Sequence, residues 1–120
     1  IALMGAMHMS LLGPEGLHHL ALRNITACNL AKQKLSELGT IALPHSNGTH
    51  FNEFIVELPS SAANCLTYLD GVGIIGGFDA SRWYPERKNW LLVTVTDQTS
   101  AKEIELLTAH IAVWSAGVNA

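Results

Sequence analysis

The sequence predicts an α+β domain: a two-layer sandwich in which helices cover a small, mainly antiparallel sheet. Three features point there. Apolar residues recur at helical spacing through most of the first third of the chain. Two short segments, 51–58 and 90–96, carry the alternation or β-branched apolar character of strands. One further helical pattern lies between those strands and another follows them, an order that suits helices layered on a sheet. A chain of 120 residues makes one domain, burying roughly two thirds of its unfolded surface.

The opening run Ile1 to Leu12 is apolar and without charge. It lacks the basic start of a signal peptide and falls short of the roughly 20 residues that span a bilayer, so it reads as a helix. Gly13 stops that helix, and Pro14 suits the first position of the next. Glu15 complements the positive end of this second helix. Its apolar face runs Leu17, Leu20, Ala21, Ile25, Cys28, Ala31, Leu35 and Leu38, with Gly39 as the stop.

Thr40 to Leu43 reads as a short strand ended by Pro44, and Ser46-Asn47-Gly48 is turn chemistry. Phe51 to Leu58 alternates, with Asn52, Phe54, Val56 and Leu58 on one face. Ser61 to Leu69 is a short helix stopping near Gly71. A Gly-rich stretch to Gly77 and an irregular segment, Phe78 to Asn89, lead to the strand Trp90 to Thr96. Ser100-Ala101-Lys102-Glu103 has the form of a capping box. It opens a last helix with Ile104, Leu107, Ile111 and Trp114 on one face.

Composition bounds the function. Hydrophobic residues make up 48% and charged residues 14%, which excludes a solvated disordered chain and predicts apolar surface that packs on a partner. Net charge is −3 with seven Lys plus Arg and no basic stripe, which argues against nucleic acid and anionic membranes. Cys28 and Cys65 sit in apolar helical patterns without C-x-x-C spacing. They read as buried reduced thiols of a cytoplasmic protein. The sequons at Asn24 and Asn47 are then chance matches.

Chemical motifs are thin. Gly71-Val72-Gly73-Ile74-Ile75-Gly76 matches the dinucleotide fingerprint, but a helix rather than a strand precedes it, so it reads as an elbow from helix into strand. The six histidines lack ligand spacing, and no protein metal site is expected. No G-x-S-x-G occurs, and Lys32, Lys34, Lys88 and Lys102 lie on polar faces or in a loop. The candidate substrate or cleft residues that remain are Asn52, Arg82 and Tyr84. Asn52 shares a strand face with Phe54 and Val56. Arg82, beside Trp83 and Tyr84, could grip a carboxylate, the plainer alternative being a loop cation stacked on Trp83.

Leu11-Leu12-Gly13-Pro14-Glu15-Gly16-Leu17 resembles the corresponding junction in subunit 1 of the two-chain bacterial glycine decarboxylase, the P-protein of the glycine cleavage system. Further similar pieces follow in the same order: Phe51 to Val56, Gly73 to Gly77, Tyr84-Pro85, Leu91 to Val93, Val95 to Asp97 and Lys102 to Glu105. His18-His19, Thr40 to Thr49 and Asp79 to Arg82 depart from the pattern, which weakens any role for Arg82. The resemblance implies the C-terminal small domain of a fold-type-I pyridoxal-phosphate enzyme. Residues 1–13 would then be the end of a helix leading to a large domain, and residues 14–120 the small domain. It implies that the full complex decarboxylates glycine and passes the aminomethyl group to the lipoyl arm of H-protein. The cofactor lysine would lie in subunit 2, so this chain alone would hold no pyridoxal phosphate, supply no catalytic residue and be inactive. The competing readings are a free-standing amino-acid-binding regulatory module and a dimerisation domain. The first of these has a strand-first order that conflicts with the leading helices.

Overall fold

The computed structural model describes residues 1–118; the last two positions of the expected 14–120 domain lie outside them. Elements follow in the order α1 (Ala2–Ser36), β1 (Glu53–Glu57), α2 (Ala62–Gly71), β2 (Phe78–Asp79), a 3₁₀ turn (Ala80–Arg82), β3 (Trp90–Thr94) and α3 (Ala101–Val118). The three strands form one sheet in the order β1-β3-β2, antiparallel throughout. The predicted α+β sandwich is therefore the observed one, with all three helices on a single side of the sheet.

That side follows from the alternation of the strands. Phe54, Val56 and Leu58 from the first strand segment, and Leu91, Val93 and Val95 from the last, are buried together. Cys28, Ala31 and Leu35 of α1, Ala62, Cys65 and Leu69 of α2, and Ile104, Ile111 and Trp114 of α3 close over them. Fully buried side chains such as Leu35, Leu58 and Leu91 each contribute up to about 1.5–3 kcal/mol.

α1 is interrupted where Gly13 and Pro14 predict it. Gly13 has φ 67° and ψ −179°, a conformation essentially confined to glycine, and the helix resumes at Pro14. Along the second arm the buried stripe is Asn24, Cys28, Ala31 and Leu35. The expected face is thus corrected by about a third of a turn: Ile25 is 37% exposed and Asn24 takes its place. Asn24 tolerates burial because its Nδ2 donates to the Leu20 carbonyl at 2.9 Å. That bond also engages the amide of the first sequon.

Thr40 to Leu43 contributes only a single bridge, Ala42 to Glu57, because Pro44 and the turn after it end the pairing at once. The segment expected to be irregular, Phe78 to Asn89, contains β2 and the 3₁₀ turn, which Asp79 caps by accepting from the Ser81 N–H. A two-residue strand has no periodicity to read. On α3 the capping box forms as predicted: Ser100 N–H donates to Glu103 Oε2 at 2.7 Å and Glu103 N–H to Ser100 Oγ at 3.2 Å. These bonds, the backbone one foremost, hold the Glu103 carboxyl below its ordinary pKa. Leu107 is only half-buried. Thr108 and Ser115 join the buried face, donating to the carbonyls one turn back.

The Gly-rich elbow is built for geometry. Gly73 (φ 79°) donates to the Asp70 carbonyl and Ile74 to that of Leu69, the paired bonds of a Schellman stop on α2. Gly77 (φ 145°) lies so close to β3 that a Cβ would run into the Leu92 carbonyl oxygen. Gly77→Ala is therefore expected to lower stability by about 2 kcal/mol or more. Gly71→Ala, with open space and no positive φ, should leave it unchanged or slightly raised. Urea midpoints of the two variants test this contrast.

Candidate functional site

The sheet face away from the helices carries the other half of the alternation. Ile55, Leu92 and Phe78 lie opposite one another across all three strands, an apolar row on one face. Two aromatic groups frame it. Phe78 stacks on Trp83 with centroids 4.9 Å apart, and the Arg82 guanidinium lies 5.0 Å from the Phe78 centroid. Trp90 is met by Tyr84 and by His45, each at 5.6 Å, and by the Arg87 guanidinium at 5.0 Å. The Trp90 indole N–H donates to Glu57 Oε2 at 3.3 Å.

This arrangement places the sequence-predicted candidates. Arg82 and Tyr84 come together near the start of β3, with Arg82 over Phe78 rather than stacked on Trp83. Asn52 sits at the other end, its carbonyl accepting from the Val95 N–H. Five residues of strand separate Val95 from Trp90, about 17 Å at 3.4 Å per residue, so the three do not form one site. Arg87, Phe78 and Trp90 were not singled out in the sequence. Alternation in β3 held the signal for Trp90, since it shares parity with Leu92 and not with Leu91.

Other reactive groups are held inert. Burial pushes the Cys65 thiol up to about 11. Burial also raises Cys28, against a smaller opposing effect of Lys32. The Lys32 ammonium donates to His50 Nδ1 at 3.0 Å. Desolvation, then Lys32 and His45, hold His50 below its ordinary pKa, outweighing a bond to the Gly48 backbone. Among the described residues no group of three or more His, Cys, Asp or Glu is placed to hold a metal. A cleft of about 400 Å³ between the Gly73–Gly76 elbow, β3 and α3 is lined by Ile74, Val93, Val95, Ile104 and Leu107, and its carboxylate, Glu103, is occupied by the capping box.

No protein-family model matches the chain. Curated relatives do, among them three named probable glycine dehydrogenase (decarboxylating) subunit 1. That of Moorella thermoacetica is 36% identical over 90% of this chain and 24% of the relative. That of Geobacillus sp. is 38% identical over 92% and 24%, and that of Maricaulis maris 38% over 92% and 25%. The chain is a homologue of part of glycine dehydrogenase (decarboxylating) subunit 1. It spans about a quarter of the length of the subunit 1 relatives it matches. A solved structure agrees: glycine decarboxylase (P-protein) of the glycine cleavage system, in inhibitor-bound form, superposes with TM-score 0.83 at 28% identity, covering 93% of this chain and 25% of that one. A NifS-like protein shares the fold, with TM-score 0.70 at 14% identity over 86% of this chain. These two neighbours meet the expected fold, that of the small domain in fold-type-I enzymes.

Two measurements follow from the buried groups. At pH 8 about one part in a thousand of a thiol with pKa about 11 is thiolate. Cys65 of the folded chain should therefore react with an aromatic disulfide reagent some hundredfold more slowly than in denaturant. For His50 the unfolded chain takes up its proton first. Its stabilising contribution is therefore complete above about pH 6.5 and declines as pH falls below that value. An NMR titration should place the His50 midpoint lower in the folded chain than in denaturant, and Lys32→Met should move it upward.

Proposed function

We propose that this chain is the small-domain portion of a glycine dehydrogenase (decarboxylating) subunit 1, the P-protein of the glycine cleavage system. In that reading the complete complex decarboxylates glycine with pyridoxal phosphate and transfers the aminomethyl group to the lipoyl arm of H-protein. The partners of this chain are then the large domain of its own subunit, subunit 2 and H-protein, in the cytoplasm. The observation that carries the reading is coincident coverage. Relatives of one name and a P-protein structure each match nine tenths of this chain and about a quarter of themselves.

The chain's own residues do not fit a pyridoxal phosphate site. Such a site needs a lysine amine freed of its proton in a desolvated pocket. Lys32 is spent on His50, Lys34 is half-exposed in the last turn of α1, and Lys88 and Lys102 stand exposed. The cofactor's chemistry therefore belongs to another part of the complex, and this portion contributes shape. Arg82 and Tyr84, together at one end of the sheet, are the residues we assign to a rim facing the rest of the assembly; Asn52, at the far end, stands outside that group. Among the described residues no helix is long and apolar enough to cross a membrane, which is compatible with a cytoplasmic complex.

The test is a hybrid. In M. thermoacetica subunit 1 the matched segment is replaced by this chain, and the hybrid is combined with subunit 2 and H-protein. Exchange of the glycine carboxyl with labelled bicarbonate should reach within about tenfold of the native rate, the scale of 1.4 kcal/mol. The free 120-residue chain should give none. A hybrid that folds and assembles without exchange activity would contradict the reading.

A further inference from the structure

We propose that Lys32, His45 and His50 form an anion site that takes a phosphate dianion, free or as a monoester. The site lies between α1, which supplies Lys32, and the turn at 44–50. That turn is tight: Ser46 N–H donates to the Leu43 carbonyl at 3.1 Å and Gly48 N–H to that of His45 at 2.9 Å. It brings His45 and His50 close enough to repel when both are charged. The His50 ring rests on Gly48, its Cε1 3.5 Å from where a Cβ would stand, and its Nδ1 accepts from the Lys32 ammonium at 3.0 Å. His45 is set by Trp90, edge to face at 5.6 Å.

Three groups that carry or can gain a positive charge thus converge from two elements. The chain has ten Asp and Glu against seven Lys and Arg, so carboxylates are plentiful. Among the described residues none is bonded to Lys32 or His50, and Glu57 Oε2 takes the Trp90 indole N–H instead. An ammonium has three donors; His50 uses one, which leaves two for an outside acceptor.

Like charges that meet without a counter-charge weaken the fold, and His50 registers the strain. Desolvation, then Lys32 and His45, hold it below its ordinary pKa. A bound anion reverses that balance. His50 then takes a proton, its Nδ1 turns from acceptor to donor, and Lys32 and His50 both donate to the anion's oxygens. Charge selects the ligand. Lys32 and protonated His50 supply two positive charges, which a phosphate of about −1.5 to −2 at neutral pH balances and a carboxylate does not.

Imidazole NMR of the 120-residue chain reads the site. Inorganic phosphate at about pH 7 should shift His50 and His45 saturably. At saturation the His50 midpoint should rise by about one pH unit, which is tenfold tighter binding to the protonated form. Sodium chloride at matched ionic strength should give less than about a third of that shift, and His18 and His19 should move no more than this. Lys32→Met should abolish the saturable response and Lys32→Arg should keep it, with circular dichroism unchanged in both. Glycerol phosphate separates the two sources of the group. Tighter binding than inorganic phosphate supports a monoester as the ligand, and equal or weaker binding supports free phosphate. Equal shifts in chloride, an equal response to acetate, or a folded Lys32→Met chain that responds like the parent overturns the proposal. Should Lys32→Met not fold, His50→Gln takes its place, read at His45. It should weaken phosphate binding at least about fivefold, and unchanged binding overturns the proposal.

Discussion

The register of β3 against β1 is the constraint on which the molecule depends. β3 is the central strand, paired with β1 on one side and β2 on the other. Its register is pinned at both ends, by Leu58 N–H donating to the Asn89 carbonyl and by Val95 N–H donating to that of Asn52. The Asn89 side chain adds a third tie, donating to the Leu58 carbonyl at 3.0 Å. Side chains alternate with a period of two, so a one-residue slip would exchange Leu91, Val93 and Val95 for Trp90, Leu92 and Thr94. The helical core and the aromatic face are thus two outcomes of one set of hydrogen bonds.

Much of this was legible in the residues, for identifiable reasons. Gly13-Pro14 and Ser100 to Glu103 carry stop and start chemistry that acts locally, and both ends form where they read. The strand at 53–57 announces itself by alternation and the one at 90–94 by its β-branched and apolar residues. The failures are also local in origin. Ile25 looks like the better core residue, yet the helix turns Asn24 inward, because the amide satisfies itself on the Leu20 carbonyl and so burial costs it little. β2 is two residues long and exists only because Gly77 lets the chain approach β3. No pattern inside Phe78-Asp79 reports that. Asn52 and Arg82 each looked plausible alone. Which end of a sheet a residue occupies is set by pairing partners some forty positions away, and nothing in either neighbourhood encodes it.

The chemistry of the chain is correspondingly quiet. Its thiols are pushed toward protonation by burial, Lys32 is committed to His50, and Glu103 to the first turn of α3. Of the glycines that mimic a nucleotide fingerprint, Gly73 ends α2 and Gly76 leaves room for the Leu69 side chain. What stays available on the sheet side is a set of flat surfaces, with two cations seated on them. Such a surface suits recognition by another folded body more than turnover of a small molecule.

The break at Gly13 has a mechanical consequence. A continuous helix of 35 residues would behave as a stiff rod, able to transmit thrust along its axis into the core at Cys28 and Leu35. With one glycine held at φ 67° and ψ −179° and a proline next to it that has no N–H to give the Ser10 carbonyl, the helix turns at a single joint. Load applied to residues 2–12 then arrives as torque about a single peptide unit, and the packing beneath α1 is spared the displacement.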